Sequence, residues 1–587
     1  MAPAGFRKEG KMLKKCVQAG SGKQKADLVF KNAGIVNVFT EELEQGDVAV
    51  CDGIIVGIGS YEGADEVDCT GKFLVPGLID GHIHLESSMM QPAEFVRTVL
   101  PHGTTALVTD PHEIANVCGR EGIDYMYKAT RGLPLEVYFT LPSCVPAAPL
   151  DESGACLEAE DLRAYYQEKR VVGLAEMMNY VGTTAGDSQI LQKIEDARHF
   201  GKVVDGHAPG LTGNDLCAYI SAGVHSDHEC STSREAAERI RRGQWIMVRE
   251  GTAARNLEAL MPMFEYPYCE RAMLVTDDKH PGDLLENGHI DAIIRKAVRL
   301  GADPCKAVKM GSFNAAVYFG LRQMGAVAPG YQADLVLLSD LEEFRVEAVY
   351  KKGTLAVREG KALPFAAPSV NQKLSERVYH SFNMKKLEEE DFLLSVHKKK
   401  KEGHIRVITL QNGQILTGEE ILPYTSQQDG VNVRDDIIKL AVLERHHRTG
   451  HRGLGYLKGY GLKKGAVASS VAHDSHNLIV AGTNARDMAL AANCVREIQG
   501  GWALVADGQI LAQLPLPVAG LMSDLDAQTL AERIRLMKER AHELGVGRGI
   551  DPFMTLAFVS LPVIPALRLT TSGLVDTQTQ KIVPVFL

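Results

Sequence analysis

The sequence predicts an α/β protein: a (β/α)8 barrel of the TIM type, inserted into a small β-domain and followed by a further α/β domain. Three observations carry this. Between Leu74 and Leu321 there are eight short apolar runs, most followed by a helical pattern. The phrase ADLV at Ala26 returns at Ala333, once those runs have ended. Several of the runs close on His, Asp or Glu, at the strand ends where barrels assemble their chemistry.

Composition narrows the class. The chain has 587 residues, 45% apolar and 24% charged, with a mean hydropathy of −0.09. These are ordinary globular values and exclude wholesale disorder or a fibrous repeat. A net charge of −10 argues against a nucleic-acid partner. No apolar stretch of ~18 residues runs uninterrupted, so no membrane partner is expected. The basic start, MAPAGFRKEGKMLKKC, lacks a following apolar region, so no secretory signal is expected. Eleven cysteines are scattered without a CxxC pair. They read as free thiols in a reducing cytoplasm, not as a disulfide framework or structural zinc module.

The elements follow in order. Residues 1–25 form an N-terminal extension, in which Gly20-Ser21-Gly22-Lys23 lacks the phosphate-loop spacing. Residues 26–75 alternate β-branched residues with Asn/Gly turns, the pattern of a small antiparallel sheet. Residues 325–385, with GYQADLVLLSD and VEAVYKKGTLAVREGKAL, complete the same β-domain. The barrel occupies 76–324, on the runs FLVPGLID, TTALVTD, LEVYFTLP, VVGLAEM, KVVDGH, GVHSDH, QWIMVRE and AMLVTDD. A doubly wound open sheet is the alternative; polar strand ends all along the region favour the barrel. Residues 386–403 read as a charged linker, with Lys398–Lys401 as a solvated face. Residues 404–587 mix strands (RVITL, LIVAGT, GWALVADGQ) with a helix (LDAQTLAERIRLMKERAHELG), hence a separate α/β domain.

The chemistry begins at His82-Ile83-His84. On a strand, residues i and i+2 share a face, so two imidazoles at a strand end can hold one divalent metal. Glu176, His207, His228 and Asp277 end or follow later strands. Singly each reads as structural: His207 as a turn histidine, Asp277 as a helix N-cap. Together they give four imidazoles and two carboxylates on one rim, enough for two metal ions with a bridging carboxylate and a bridging hydroxide. Divalent metal lowers the pKa of bound water to about 7. A carboxylate beside that hydroxide can relay its proton to the leaving group. Asp277 is the first choice for this role. Asp278 is the alternative, facing the opposite way if both lie on a strand.

Substrate contacts are less sharply marked. Glu86 and Ser88 follow the histidine pair directly. Asp110 and His112, in TDPHE, suit base recognition or equally a helix cap with a turn at Pro111. Arg249 and Glu250 end the seventh run and are weaker candidates. In HDSHN, His473, Asp474 and His476 suit a lid or a contact with the barrel mouth; a second metal site is the other reading. His446-His447, in the basic segment ERHHRTGHRG, reads as a surface or interface patch.

PGLIDGHIHLESSMM, GTTALVTDPHEIANVCG, GLAEMMNY, DGHAPG, SDHE and LVTDD resemble the amidohydrolase superfamily and, within it, the bacterial adenine deaminases. VAHDSHNLIVAGTN and PFMTLAFVSLPVIPALRLT resemble that family's extra C-terminal domain. The resemblance spans nearly the whole chain after the first 25 residues. It implies a barrel flanked by a β-sandwich, and hydrolytic deamination of adenine to hypoxanthine and ammonia in purine salvage. It implies two divalent ions, Mn2+ or Fe2+ with Zn2+ as a further option. His82 and His84 would bind the first, His207 and His228 the second, with Glu176 between them and Asp277 as a further metal ligand or in contact with the hydroxide. A homodimer is expected. Many hydantoinase-like members bridge their metals with a carbamylated Lys where this chain has Glu176, which disfavours a cyclic amide. The alternative is a relative acting on another aminopurine or a cyclic amide. His84-Leu85-Glu86 also matches the H-x-E of zinc nucleobase deaminases, but no P-C-x-x-C follows anywhere, which excludes that fold.

Overall fold

Leu335–Leu338 runs antiparallel to Phe73–Pro76, with Val336 opposite Val75. That pairing joins the chain on either side of the central α/β region into one nine-stranded sheet, drawn from residues 26–76 and 335–362. Phe30 and Tyr350 lie on strands with two others between them, ~14 Å apart in a flat sheet. Their rings meet edge to face at 4.8 Å, so the sheet curls around its own core. The computed structural model describes residues 4–252, 254–394, 402–411, 416–425 and 427–587. The N-terminal segment forms a helix, Ala4–Gly20, tied to this sheet by Lys15 Nζ at 2.9 Å from Asp27 and by the Tyr61 hydroxyl donating to Gly20 O.

The eight apolar runs all form strands: β1 (Leu78–Ile83), β2 (Thr104–Thr109), β3 (Glu136–Leu141), β4 (Val171–Met177), β5 (Val203–Gly206), β6 (Ser226–Asp227), β7 (Trp245–Arg249) and β8 (Ala272–Val275). β1 to β5 make one parallel sheet and β6 to β8 another. The two sheets approach along both margins. Asp277 N–H, just past the end of β8, donates to His82 O near the end of β1, and His225 N–H donates to Val204 O between β5 and β6. Parallel strands covered on both faces need apolar side chains on both, which is why these runs are continuous. Ile79, Val108, Met247, Met273 and Val275 enter one shared cluster with Phe319 and Leu321, while Leu78, Leu107, Ile246 and Leu274 pack outward. Alternate residues of both sheets thus face a common interior.

The C-terminal region carries an eight-stranded, mainly antiparallel sheet (402–515) and a three-stranded one (567–583). Ala527–Glu543 is helical because Asp526 caps its first turn and Leu530, Ile534, Met537 and Ala541 bury one stripe. Phe392, in the charged stretch 386–403, and Phe382 just ahead of it pack into the sheet's core. Lys398–Lys401 lie outside the described residues. Among the described residues, no helix is long and apolar enough to cross a membrane.

Candidate metal centre

β1 and β4 aim their ends at each other. His82 is the penultimate residue of β1, and His84 follows it at the start of a short 3-10 turn, Leu85–Ser88. Glu176 is the penultimate residue of β4 and is 3% exposed. One oxygen of its carboxylate, Oε1, lies 3.2 Å from His84 Nε2 and 3.9 Å from His82 Nε2. The other, Oε2, lies 2.8 Å from His207 Nδ1 and 3.2 Å from His228 Nε2. One carboxylate is therefore divided between two pairs of imidazoles. Asp277 Oδ1 adds to the first pair, 3.1 Å from His84 Nε2 and 3.6 Å from His82 Nε2.

These spacings suit divalent cations. Ligand atoms about 2.1 Å from a common ion stand roughly 3.0–3.5 Å from one another. His82 Nε2 is buried with no hydrogen-bond partner, an orphan that a cation would satisfy. The electrostatics agree. Burial opposes a charged His84, yet Asp277 and Glu176 outweigh it and hold that imidazole well above the ordinary histidine range. Burial likewise opposes ionisation of Glu176 and Asp277, but the surrounding imidazoles, and Arg249 in the case of Asp277, keep both well below the usual carboxylate range. The pocket wants positive charge, which a metal ion supplies without a proton.

A second layer surrounds this cluster. His112 Nδ1 is 2.7 Å from Asp110 Oδ2 and 3.7 Å from Glu176 Oε1. His84 Nδ1 donates to Asp110 O at 3.1 Å, which leaves Nε2 for the centre. Arg249 Nη1 spans Asp277 Oδ2 (2.8 Å) and Glu229 Oε1 (2.5 Å). The C-terminal region then closes in. Glu113 places Oε1 2.6 Å from His473 Nδ1 and bonds His476 Nε2 through Oε2.

Two family models match the chain: the amidohydrolase family over residues 73–356 and the adenine deaminase C-terminal domain over residues 414–581. Adenine deaminase 2 of Carboxydothermus hydrogenoformans is 46% identical over 579 residues, 98% of this chain and 100% of that protein. The chain belongs to the adenine deaminase family. The adenine deaminase of Desulfatibacillum aliphaticivorans is 45% identical over 575 residues, 97% of this chain and 99% of that protein. Among solved structures, a β-aspartyl dipeptidase of Fervidobacterium islandicum AW-1 aligns with a TM-score of 0.45 at 18% identity, over 58% of this chain and 99% of that one.

Within this adenine deaminase family chain, the predicted site residues fall into three groups. His82, His84, Glu176, His207, His228 and Asp277 converge as described. Asp110 and His112 touch them, and His473 and His476 are linked to that layer through Glu113. Glu86, Ser88 and Asp278 require comment. Glu86 is buried; that burial raises its carboxyl to about 7, while Oε1 accepts from Ile114 N–H. Ser88 Oγ donates to Leu85 O inside the 3-10 turn, and it is Ser87 that reaches Asp278, at 2.5 Å.

Two sequence expectations are corrected. Asp277 and Asp278 do not alternate on a strand, because β8 ends at Val275 and Asp277 turns with φ 59°. The N-cap reading of Asp110 also fails, since its carboxylate holds the His112 ring and the helix cap is Pro111. His446-His447 sits at an interface within the chain: His446 is buried, its Nε2 donating to Ser475 O at 2.8 Å beneath the HDSHN loop, while the exposed His447 donates from Nε2 to Ser153 O at 3.2 Å. Sequence reasoning missed Glu113 and His280. Glu113 follows a singled-out histidine, but its partners lie 360 and 363 residues away. His280 lies two residues past Asp278, and burial lowers it to about 4.

Proposed function

We propose that this protein hydrolyses adenine to hypoxanthine and ammonia at a binuclear divalent-metal site, with the eight strands closed into a single (β/α)8 barrel around it. The observation that carries the reading is the divided carboxylate of Glu176, facing one imidazole pair through each oxygen, in a chain related over its whole length to adenine deaminases. His82 and His84 would hold one ion and His207 and His228 the other, with Glu176 between them. Held there, divalent ions would lower the pKa of water to about 7 and so make hydroxide available at neutral pH.

The chain's own residues do the rest. Asp277 takes the proton released when water adds to C6 of the base and returns it to the departing amino group. Arg249 fixes the Asp277 side chain from the side away from the histidines. Glu86 suits donation to a ring nitrogen in its protonated form, since burial raises its carboxyl to about 7 and leaves a share of it protonated at neutral pH.

The test is ammonia release from manganese-loaded protein given adenine, guanine, adenosine and cytosine in parallel, with metal analysis of the same sample. Release from adenine alone, with about two ions per chain, supports the reading. Silence on adenine with metal bound discards adenine as the substrate; release from guanine instead moves the assignment to another aminopurine.

A further inference from the structure

What the C-terminal region contributes to the reaction is legible at one pocket. Glu86, Ser87 and His280 border it from the strand-end side; His473, Trp502 and Phe553 border it from the C-terminal side. Trp502 and Phe553 stack face to face, with centroids 3.9 Å apart and planes within 2°. Three buried polar atoms of its lining have no hydrogen-bond partner: Glu86 Oε2, His280 Nδ1 and Trp502 Nε1. A flat aromatic wall beside several unsatisfied donors and acceptors is the surface that a planar, nitrogen-edged ring completes.

His473 is held as a ligand-facing imidazole. Its Nδ1 is engaged by Glu113 Oε1 at 2.6 Å and its ring stacks on Phe558 at 4.7 Å. Among the described residues Nε2 has no partner. Glu113 is itself fixed: His476 Nδ1 accepts from Ala472 N–H at 3.2 Å, so His476 Nε2 carries the hydrogen and donates it to Glu113 Oε2. That tautomer makes the trio a hydrogen-bonded support and not a further metal site. His112 Nε2, 3.5 Å from Glu113 Oε1, links the support back toward Glu176.

We propose that His473 is a catalytic-pocket residue supplied by the C-terminal region, presenting Nε2 to a ring-edge nitrogen of the purine, with Glu113 as its positioning residue and Trp502 in the wall against the base. The inference rests on the adenine reading and explains why the chain carries its additional region: without it the pocket has no such wall and no such imidazole.

Two substitutions separate contact with the base from mere bracing. His473→Asn keeps a donor near the Nδ1 position and removes the group at Nε2; His473→Gln does the reverse. Adenine kinetics and metal content are measured on both, with unlabelled purine titrated against the tryptophan fluorescence of wild type and Trp502→Phe. We expect His473→Asn to lower kcat/KM about 10- to 100-fold with metal retained, and His473→Gln to keep more activity than His473→Asn. We also expect purine to change wild-type fluorescence, with that change lost in Trp502→Phe. Wild-type kinetics in His473→Asn, better function in His473→Asn than in His473→Gln, or no Trp502-dependent signal would overturn the proposal while leaving adenine turnover intact. A wild type that binds purine but is inert on adenine instead defeats the adenine reading, and the catalytic role of His473 with it.

Discussion

Arg249 donates to Asp277 Oδ2 at 2.8 Å, which turns the other oxygen, Oδ1, toward His84 at 3.1 Å. The aspartate is thereby fixed at both ends, and both partners favour its ionised form. Asp277→Asn keeps the shape and an oxygen able to accept from Arg249, but it cannot take up a proton. We expect turnover to fall by about 10²- to 10⁴-fold while metal content stays largely intact on His82, His84 and Glu176. Unchanged ammonia release from that variant would remove Asp277 from the role and leave Asp278 as the carrier.

Glu176→Gln should behave differently. Its two oxygens serve two imidazole pairs, and an amide offers one oxygen and a nitrogen that does not ligate. The expected result is a drop from about two ions per chain to one or fewer, with activity lost in proportion. Metal analysis after dialysis decides it; full occupancy in the variant would mean that Glu176 does not link the two sites.

Much of this centre was legible because each contribution is local. A strand of β-branched residues ending in His, Asp or Glu announces both the element and its chemistry, and β1 with His82 and His84 does so within a few residues. Pairings between distant segments leave no such trace. Glu113 looks like an ordinary helix-start carboxylate until His473, 360 residues later, is brought against it. Local charge marks ERHHRTGHRG as a surface or interface patch but not which residue turns inward: Glu444 accepts the N–H groups of His446, His447 and Thr449, and of the two histidines His446 is buried while His447 stays exposed. The choice between neighbouring serines was equally hidden, since it depends on which hydroxyl a 3-10 turn consumes.

That choice gives the next prediction. Ser87 Oγ donates to Asp278, whereas Ser88 Oγ is spent on Leu85 O and receives Met90 N–H. Ser87→Ala should alter adenine kinetics with little change in melting temperature. Ser88→Ala should cost about 1 kcal/mol of stability by leaving a buried carbonyl and amide unmade, with kinetics near wild type below the melting range. Parallel melts and Michaelis curves test the pair, and the reverse assignment would show that Ser88 faces the substrate.

A last prediction concerns the join between the strand region and the curled sheet. Glu136, at the start of β3, meets Lys351 at 2.8 Å and Lys352 at 2.7 Å. Burial works against its ionisation, but Lys351 outweighs that with help from Lys352 and Gln332, and holds the carboxyl at about 2. A glutamate depressed on folding stabilises the protein fully above its ordinary unfolded value, and that contribution is lost as pH falls through the folded one. The side chain keeps 26% of its exposure, so the contribution is discounted to about 1–2 kcal/mol. Glu136→Gln should therefore melt ~1–2 °C lower than wild type at pH 7. The gap should hold down to about pH 5 and close as pH approaches about 2. Melting curves of both proteins over that range read it directly; a gap that ignores pH would mean that Glu136 acts by shape and not by charge.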